Sequence, residues 1–209
     1  MPFEKNVFIN CPFDFAYKPI LDAVLFALVY IDMEPKISET TSSEDERIKK
    51  IKKLIAESKY GIHDLSRSVP LKMNDLPRFN MPYELGLDVG CIKYKGGICK
   101  QKKILIFNSK KYRIQKVLSD INGKDIEIHN DDPEDAILCI RNWFYKLNKH
   151  KVVFSGTDIW TAYNNFKGDF NLKVKPLRSK KEINRMPRKE YIDFCKEWIK
   201  KTKGKPTNF

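Results

Sequence analysis

The run Asn80-Met81-Pro82-Tyr83-Glu84-Leu85-Gly86-Leu87 puts a carboxylate in the first turn of a predicted helix that follows a buried strand. An open α/β sheet gathers its ligand-binding groups at such positions. Asn80 has the side chain of an N-cap, Pro82 falls where a missing N–H costs nothing, and Leu85, Leu87, Val89 and Ile92 continue an apolar helical stripe. A carboxylate among the unpaired N–H groups of a helix start is favoured in its charged form. Glu84 is therefore expected to be an anion at neutral pH, suited to attack or stabilise a sugar cation and poorly suited to donate a proton at rest. Acidic residues also occupy first turns for stability alone, so spacing by itself leaves a structural role open.

Two further segments place polar residues at the ends of predicted strands: Asn10, Phe13 and Asp14 after the first, and Asp64, Ser66 and Arg67 after the third. Together with Asn80, Met81, Tyr83 and Glu84 they outline a sugar-nucleotide pocket. A carboxylate would hold ribose hydroxyls, Arg67 a phosphate, and Phe13 or Tyr83 a flat base. Each has a plainer alternative. Asp64 and Ser66 equally suit closing the turn after the strand. Asp14 alone reads better as a helix cap, Arg47 as a solvated residue on a charged helix, and His63 as a satisfied core histidine. No glycine-rich phosphate loop is present, because Gly96-Gly97 has neither a lysine-serine sequel nor GxGxxG spacing. That disfavours ATP and a hydride-transferring dinucleotide cofactor.

The elements that must position these residues follow from hydrophobic periodicity. Strands are predicted over 6–10, 34–38, 60–64, 103–108 and 124–129. Helices are predicted over 15–31, 44–58 with caps in Thr40-Thr41-Ser42-Ser43, from Asn80 onward, 112–121 and 132–149. Alternation of strands and helices implies a mostly parallel five-stranded sheet with helices on both faces, an α/β flavodoxin-like core over residues 1–150. Residues 151–209 read as a basic helical extension, with helices near 158–166 and 189–201, the second bearing Tyr191, Phe194, Cys195 and Trp198 on one face.

Composition supports a folded chain: 42% of the 209 residues are hydrophobic and 12% aromatic. The five cysteines form neither a CxxC pair nor a Cys/His cluster at metal spacing, which predicts reduced thiols in a cytoplasmic protein with no metal. Neither signal peptide nor membrane span is predicted. The net charge of +13 is concentrated at one end, +9 over residues 173–209 and +4 over the rest. Nucleic-acid binding through the basic end is an available reading, but a solvated face is the commoner use of such a segment.

The motifs VFINCPFD (7–14), IHDLSR (62–67) and LPRFNMPYELGL (76–87) resemble a family of bacterial TIR-like proteins of antiphage defence systems, related in architecture to the nucleoside 2-deoxyribosyltransferases. The resemblance spans residues 6–150 in order, with LPRFNMPYELGL its most specific part. It implies cleavage of an N-glycosidic bond by one essential glutamate, and only Glu84 matches that position. The implied substrate is NAD, with no separate cofactor, giving nicotinamide and ADP-ribose or a cyclic or conjugated ADP-ribose signal. The related transferases act on nucleosides instead. The resemblance further implies a homo-oligomer and a possible defence-system partner protein. The serine-rich first loop and tryptophan-bearing helix of many TIR domains are missing, and Asn10 to Asp14 takes the place of the first. A non-catalytic nucleotide-sensing module is the reading from another class.

Overall fold

Strands β1 (Asn6–Asn10), β2 (Glu34–Ile37), β3 (Tyr60–Asp64), β4 (Lys103–Asn108) and β5 (Asp125–Ile128) pair in parallel in the order β2-β1-β3-β4-β5. In this computed structural model residues 2–38, 44–68, 76–111, 118, 125–147 and 153–203 are described. β1 and β3 are buried along their whole length, as strands covered on both faces must be. The alternation of side chains sorts them onto two layers. Val7, Ile9, Ile62, Leu105 and Phe107 pack on one face, while Phe8, Ile104 and Ile106 pack on the other.

The first face is covered by α2 (Lys18–Tyr30) and α5 (Pro133–Leu147), the second by α3 (Glu44–Ala56) and α4 (Asn80–Gly90); a one-turn helix α1 (Pro2–Lys5) precedes β1. α2 is apolar on every side, and Leu21 through Leu28 apart from Asp22 are at most 2% exposed. A helix of that kind needs a second cover. The cover is the C-terminal segment, α6 (Gly156–Lys173), α7 (Lys180–Asn184) and α8 (Arg188–Lys203), which stacks Phe166 on Phe26 at 5.2 Å and sets Trp198 at 5.9 Å from the same ring. Ile159, Tyr163, Phe166, Tyr191, Cys195 and Ile199 thereby join the core built on β1.

The α/β fold, the five strands and the helices on both faces match the sequence expectation, with differences at the boundaries. α2 starts at Lys18 rather than 15, because Asp14 first closes a turn, accepting the Tyr17 N–H on Oδ1 at 2.9 Å. α4 starts one residue early: Phe79 already has helical dihedrals (φ −76°, ψ −12°), which places Asn80 inside the helix and removes it from the N-cap. The predicted caps at 40–43 and all of the predicted 112–121 helix except Leu118 lie outside the described residues.

Candidate active site

In a sheet ordered 2-1-3-4-5 the ligand crevice lies beyond the carboxyl ends of the strands, between β1 and β3. Asn10 ends β1 there and registers against His63 of β3. Its Nδ2 donates to the Met81 carbonyl at 2.8 Å and lies 3.0 Å from His63 Nδ1, so both amide hydrogens are engaged and only its carbonyl oxygen is left to accept. With Nδ1 accepting, the His63 proton is assigned to Nε2, 3.0 Å from Asp88 Oδ2. The other Asp88 oxygen is 3.2 Å from Lys102 Nζ, which also donates to the carbonyls of Ile55, at 2.8 Å, and Ser58. The His63, Asp88 and Lys102 side chains are fully buried. Gly61 makes room for this chain of contacts, because a Cβ there would stand 2.3 Å from Asp88 Oδ2.

Met81, Glu84, Leu85 and Asp88 form the buried face of α4, with the spacing of one helical stripe. Glu84 thus sits one turn above Asp88, its side chain 6% exposed, with Oε1 accepting from Arg47 of α3 at 2.7 Å. Three expectations are corrected. The Tyr83 N–H already bonds to the Phe79 carbonyl, so Glu84 lies past the free N–H groups of the helix start. Burial raises the Glu84 carboxyl above its ordinary value, with the Arg47 guanidinium opposing that rise. Arg47, expected in solvent, is the charged partner of the candidate carboxylate because α3 and α4 pack side by side on the same face.

Glu84 opens into a cleft of about 90 Å³ that brings together five of the sequence-selected residues, Asn10, Phe13, Asn80, Met81 and Glu84. Ser38, Arg47 and Arg78 add to its polar lining, and Glu84 is the one acid among the described residues that wall it. Cys11 lines it too, but burial and the nearby Asp64 push its thiol well up, which keeps it from serving as a thiolate.

The remaining selected residues lie elsewhere. Asp64 follows His63 and so points to the opposite face of the sheet. There it accepts from the Tyr17 hydroxyl at 2.7 Å and the Ser66 N–H at 2.8 Å and stands 2.9 Å from His129 Nε2, itself 0% exposed. Burial opposes its charge, yet the contacts of His129, Ser66 and Tyr17 hold its carboxyl below the usual carboxylate range. Ser66 is buried in the same turn. The Arg67 side chain is 10% exposed, 3.7 Å from Asp14 and 3.6 Å from Asp131, and lies outside the cleft. Asp14 also faces Arg78 at 3.6 Å. Tyr83 is 54% exposed, off the buried face of α4. Of these five, none lines the cleft. Arg47 and Arg78, which do, carried no pocket signal in the sequence because their placement depends on helix packing and loop closure.

Comparison of the chain with protein-family models, with curated proteins and with solved structures finds no match. The site's chemistry rests on its own residues. Among the described residues no group of three or more His, Cys, Asp or Glu is arranged to hold a metal, and no helix is long and apolar enough to cross a membrane.

Proposed function

We propose that this chain is an enzyme that cleaves the N-glycosidic bond of NAD, with Glu84 as the carboxylate that faces the anomeric carbon. One observation carries the reading: a buried carboxylate, paired to one arginine, lines a cleft at the β1/β3 crevice with no second acid among the described residues that wall it. Cleavage of such a bond passes through an oxocarbenium-like state, and a fixed negative charge in a low-dielectric pocket stabilises it strongly. Nicotinamide leaves as a neutral molecule, so the reaction places no demand on a general acid. Arg47 holds the carboxylate in one orientation. The Asn10 carbonyl oxygen accepts a ribose hydroxyl, and Phe13, about half exposed at the rim, packs on the base. Water as the attacking group gives ADP-ribose, and a nucleophile within the substrate gives a cyclic product. A role in antiphage defence, as a homo-oligomer in the cytoplasm with a possible defence-system partner, accompanies this proposal on the strength of the sequence resemblance.

The test is mass spectrometry of the products after incubation with NAD and, separately, with 2-deoxynucleosides. Nicotinamide with an ADP-ribose species supports the proposal. Base release from deoxynucleosides with NAD intact assigns the same carboxylate to a deoxyribosyltransferase or nucleoside glycosidase. No product from either, with ligand-dependent thermal stabilisation, makes the cleft a sensor.

A further inference from the structure

The cleft at Glu84 shares part of its wall with a neighbouring one. Phe13 and Ser38, which wall the inner chamber, also wall a second chamber of about 350 Å³ whose far side is the segment Asn184 to Arg188, joining α7 to α8. The inner chamber falls below the roughly 300–1,000 Å³ of small-molecule sites. A glycoside with its reacting carbon at Glu84 exceeds that volume, and the adjoining second chamber has room for the remainder of the molecule.

The charges of that chamber select what the remainder is. Among the described residues, four arginines, Arg47, Arg78, Arg185 and Arg188, line the two chambers against one acid, Glu84. Arg47 is matched by Glu84. Arg78 is half exposed and 3.6 Å from Asp14, at the loose end of ion-pair contact, whereas Arg188 is mostly buried and faces Asp22 at 3.7 Å. Arg185 is exposed, and its backbone is pinned: its N–H bonds to the carbonyls of Lys181 and Glu182 at the end of α7, and the next residue, Met186, is buried in the core. The Arg185 side chain therefore starts from a held backbone, and the geometry of an arginine fork matches phosphate oxygens two at a time. Arg67, the phosphate ligand expected from sequence, is held between Asp14 and Asp131 outside both chambers.

We infer that the segment Asn184 to Arg188 forms a phosphate subsite: together with Arg78, Arg185 binds the diphosphate of a nucleotide whose glycosidic bond lies at Glu84, so the substrate is a nucleoside diphosphate derivative and not an uncharged nucleoside. The inference rests on the reading of Glu84 as the glycosidic carboxylate. It also gives the basic C-terminal helices a part in the site beyond covering α2.

The experiment is calorimetric titration of the full chain with ADP and with adenosine, in the wild type, Arg185→Ala, Arg185→Glu and Glu84→Gln, at low and at physiological salt. ADP is expected to bind at least about tenfold tighter than adenosine, and Arg185→Ala to weaken ADP about five- to tenfold while leaving adenosine unchanged, the scale of a charge-assisted contact to an exposed arginine. Arg185→Glu weakens ADP further and flattens its salt dependence. Because Arg185 is exposed, unchanged melting temperatures are expected to certify the folds. Equal affinity for ADP and adenosine, or ADP binding indifferent to both Arg185 variants, overturns the subsite. ADP binding that depends on Arg185 and is kept in Glu84→Gln, with NAD left uncleaved by the wild type, sustains the subsite and removes the glycosidase reading. Cleavage of NAD with a KM insensitive to Arg185 does the reverse.

Discussion

Lys102→Met removes an ammonium group from the bottom of the site while keeping the length of the side chain. In the wild type that group meets Asp88 and the carbonyls of Ile55 and Ser58 with no solvent on any side. The variant leaves the Asp88 carboxylate buried with His63 as its one remaining polar partner among the described contacts. Breaking a buried pair by deleting one partner costs about 3–5 kcal/mol, far more than the pair contributes relative to an apolar replacement of both. For a chain of this size each kcal/mol moves the melting temperature by about 2–4 °C, so the expected fall is about 6–20 °C. The assay is urea unfolding together with a thermal melt, extended to Asp88→Asn and the double variant. Neutralising both partners removes the uncompensated charge, so the double variant should lose about 1–3 kcal/mol less than the sum of the singles. A Lys102→Met protein within about 1 kcal/mol of wild type, or strict additivity, would refute the claim that this ion pair is desolvated and coupled.

Other consequences follow from the same contacts. Gly61→Ala drives a methyl into Asp88 Oδ2 and is expected to destabilise by about 1–3 kcal/mol, read by urea unfolding. Asp64 has a lowered carboxyl pKa, so it stabilises the fold above the ordinary aspartate range and that stability is lost as pH falls below about 4. Asp64→Asn should therefore unfold more easily at pH 7 and show a flatter acid limb than wild type. Glu84 has the opposite sign: its raised pKa means that folding is opposed as pH rises through its titration, so Glu84→Gln should melt no lower than wild type at pH 7. The acid limb of kcat/KM should lie above the ordinary glutamate value of about 4.3, with activity rising as Glu84 ionises.

The parts of this account visible in the sequence are those that local pattern determines. Val7 to Ile9, Tyr60 to Ile62 and Ile104 to Phe107 are short apolar runs between turn residues, and strand boundaries followed them closely. The parallel pairing of the sheet followed from alternation with helices, and the strand order seen in the structure located the crevice that Asn10 and Glu84 both line. What local pattern does not carry is which polar residue turns inward. Asp64 and His63 are neighbours of similar polarity, and a single step along the strand sends one to Tyr17 and His129 and the other to Asn10 and Asp88. Nothing in the local pattern singles out Lys102 and Asp88, because burying them is favourable only when both are present, a condition that depends on residues far apart in the chain. Arg47 sits in a helix rich in Lys and Glu, where nothing in the periodicity separates the one arginine that reaches across to α4 from its solvated neighbours.

The most direct test of the central claim is the rate of nicotinamide release from NAD by the wild type and by Glu84→Gln, each first shown by calorimetry to bind ADP alike. The account predicts turnover by the wild type and a loss of about 10²–10³-fold or more in the variant, the scale expected when a preorganised charge is removed from the transition state. Release by Glu84→Gln within about tenfold of wild type, a difference worth only about 1.4 kcal/mol, would contradict it.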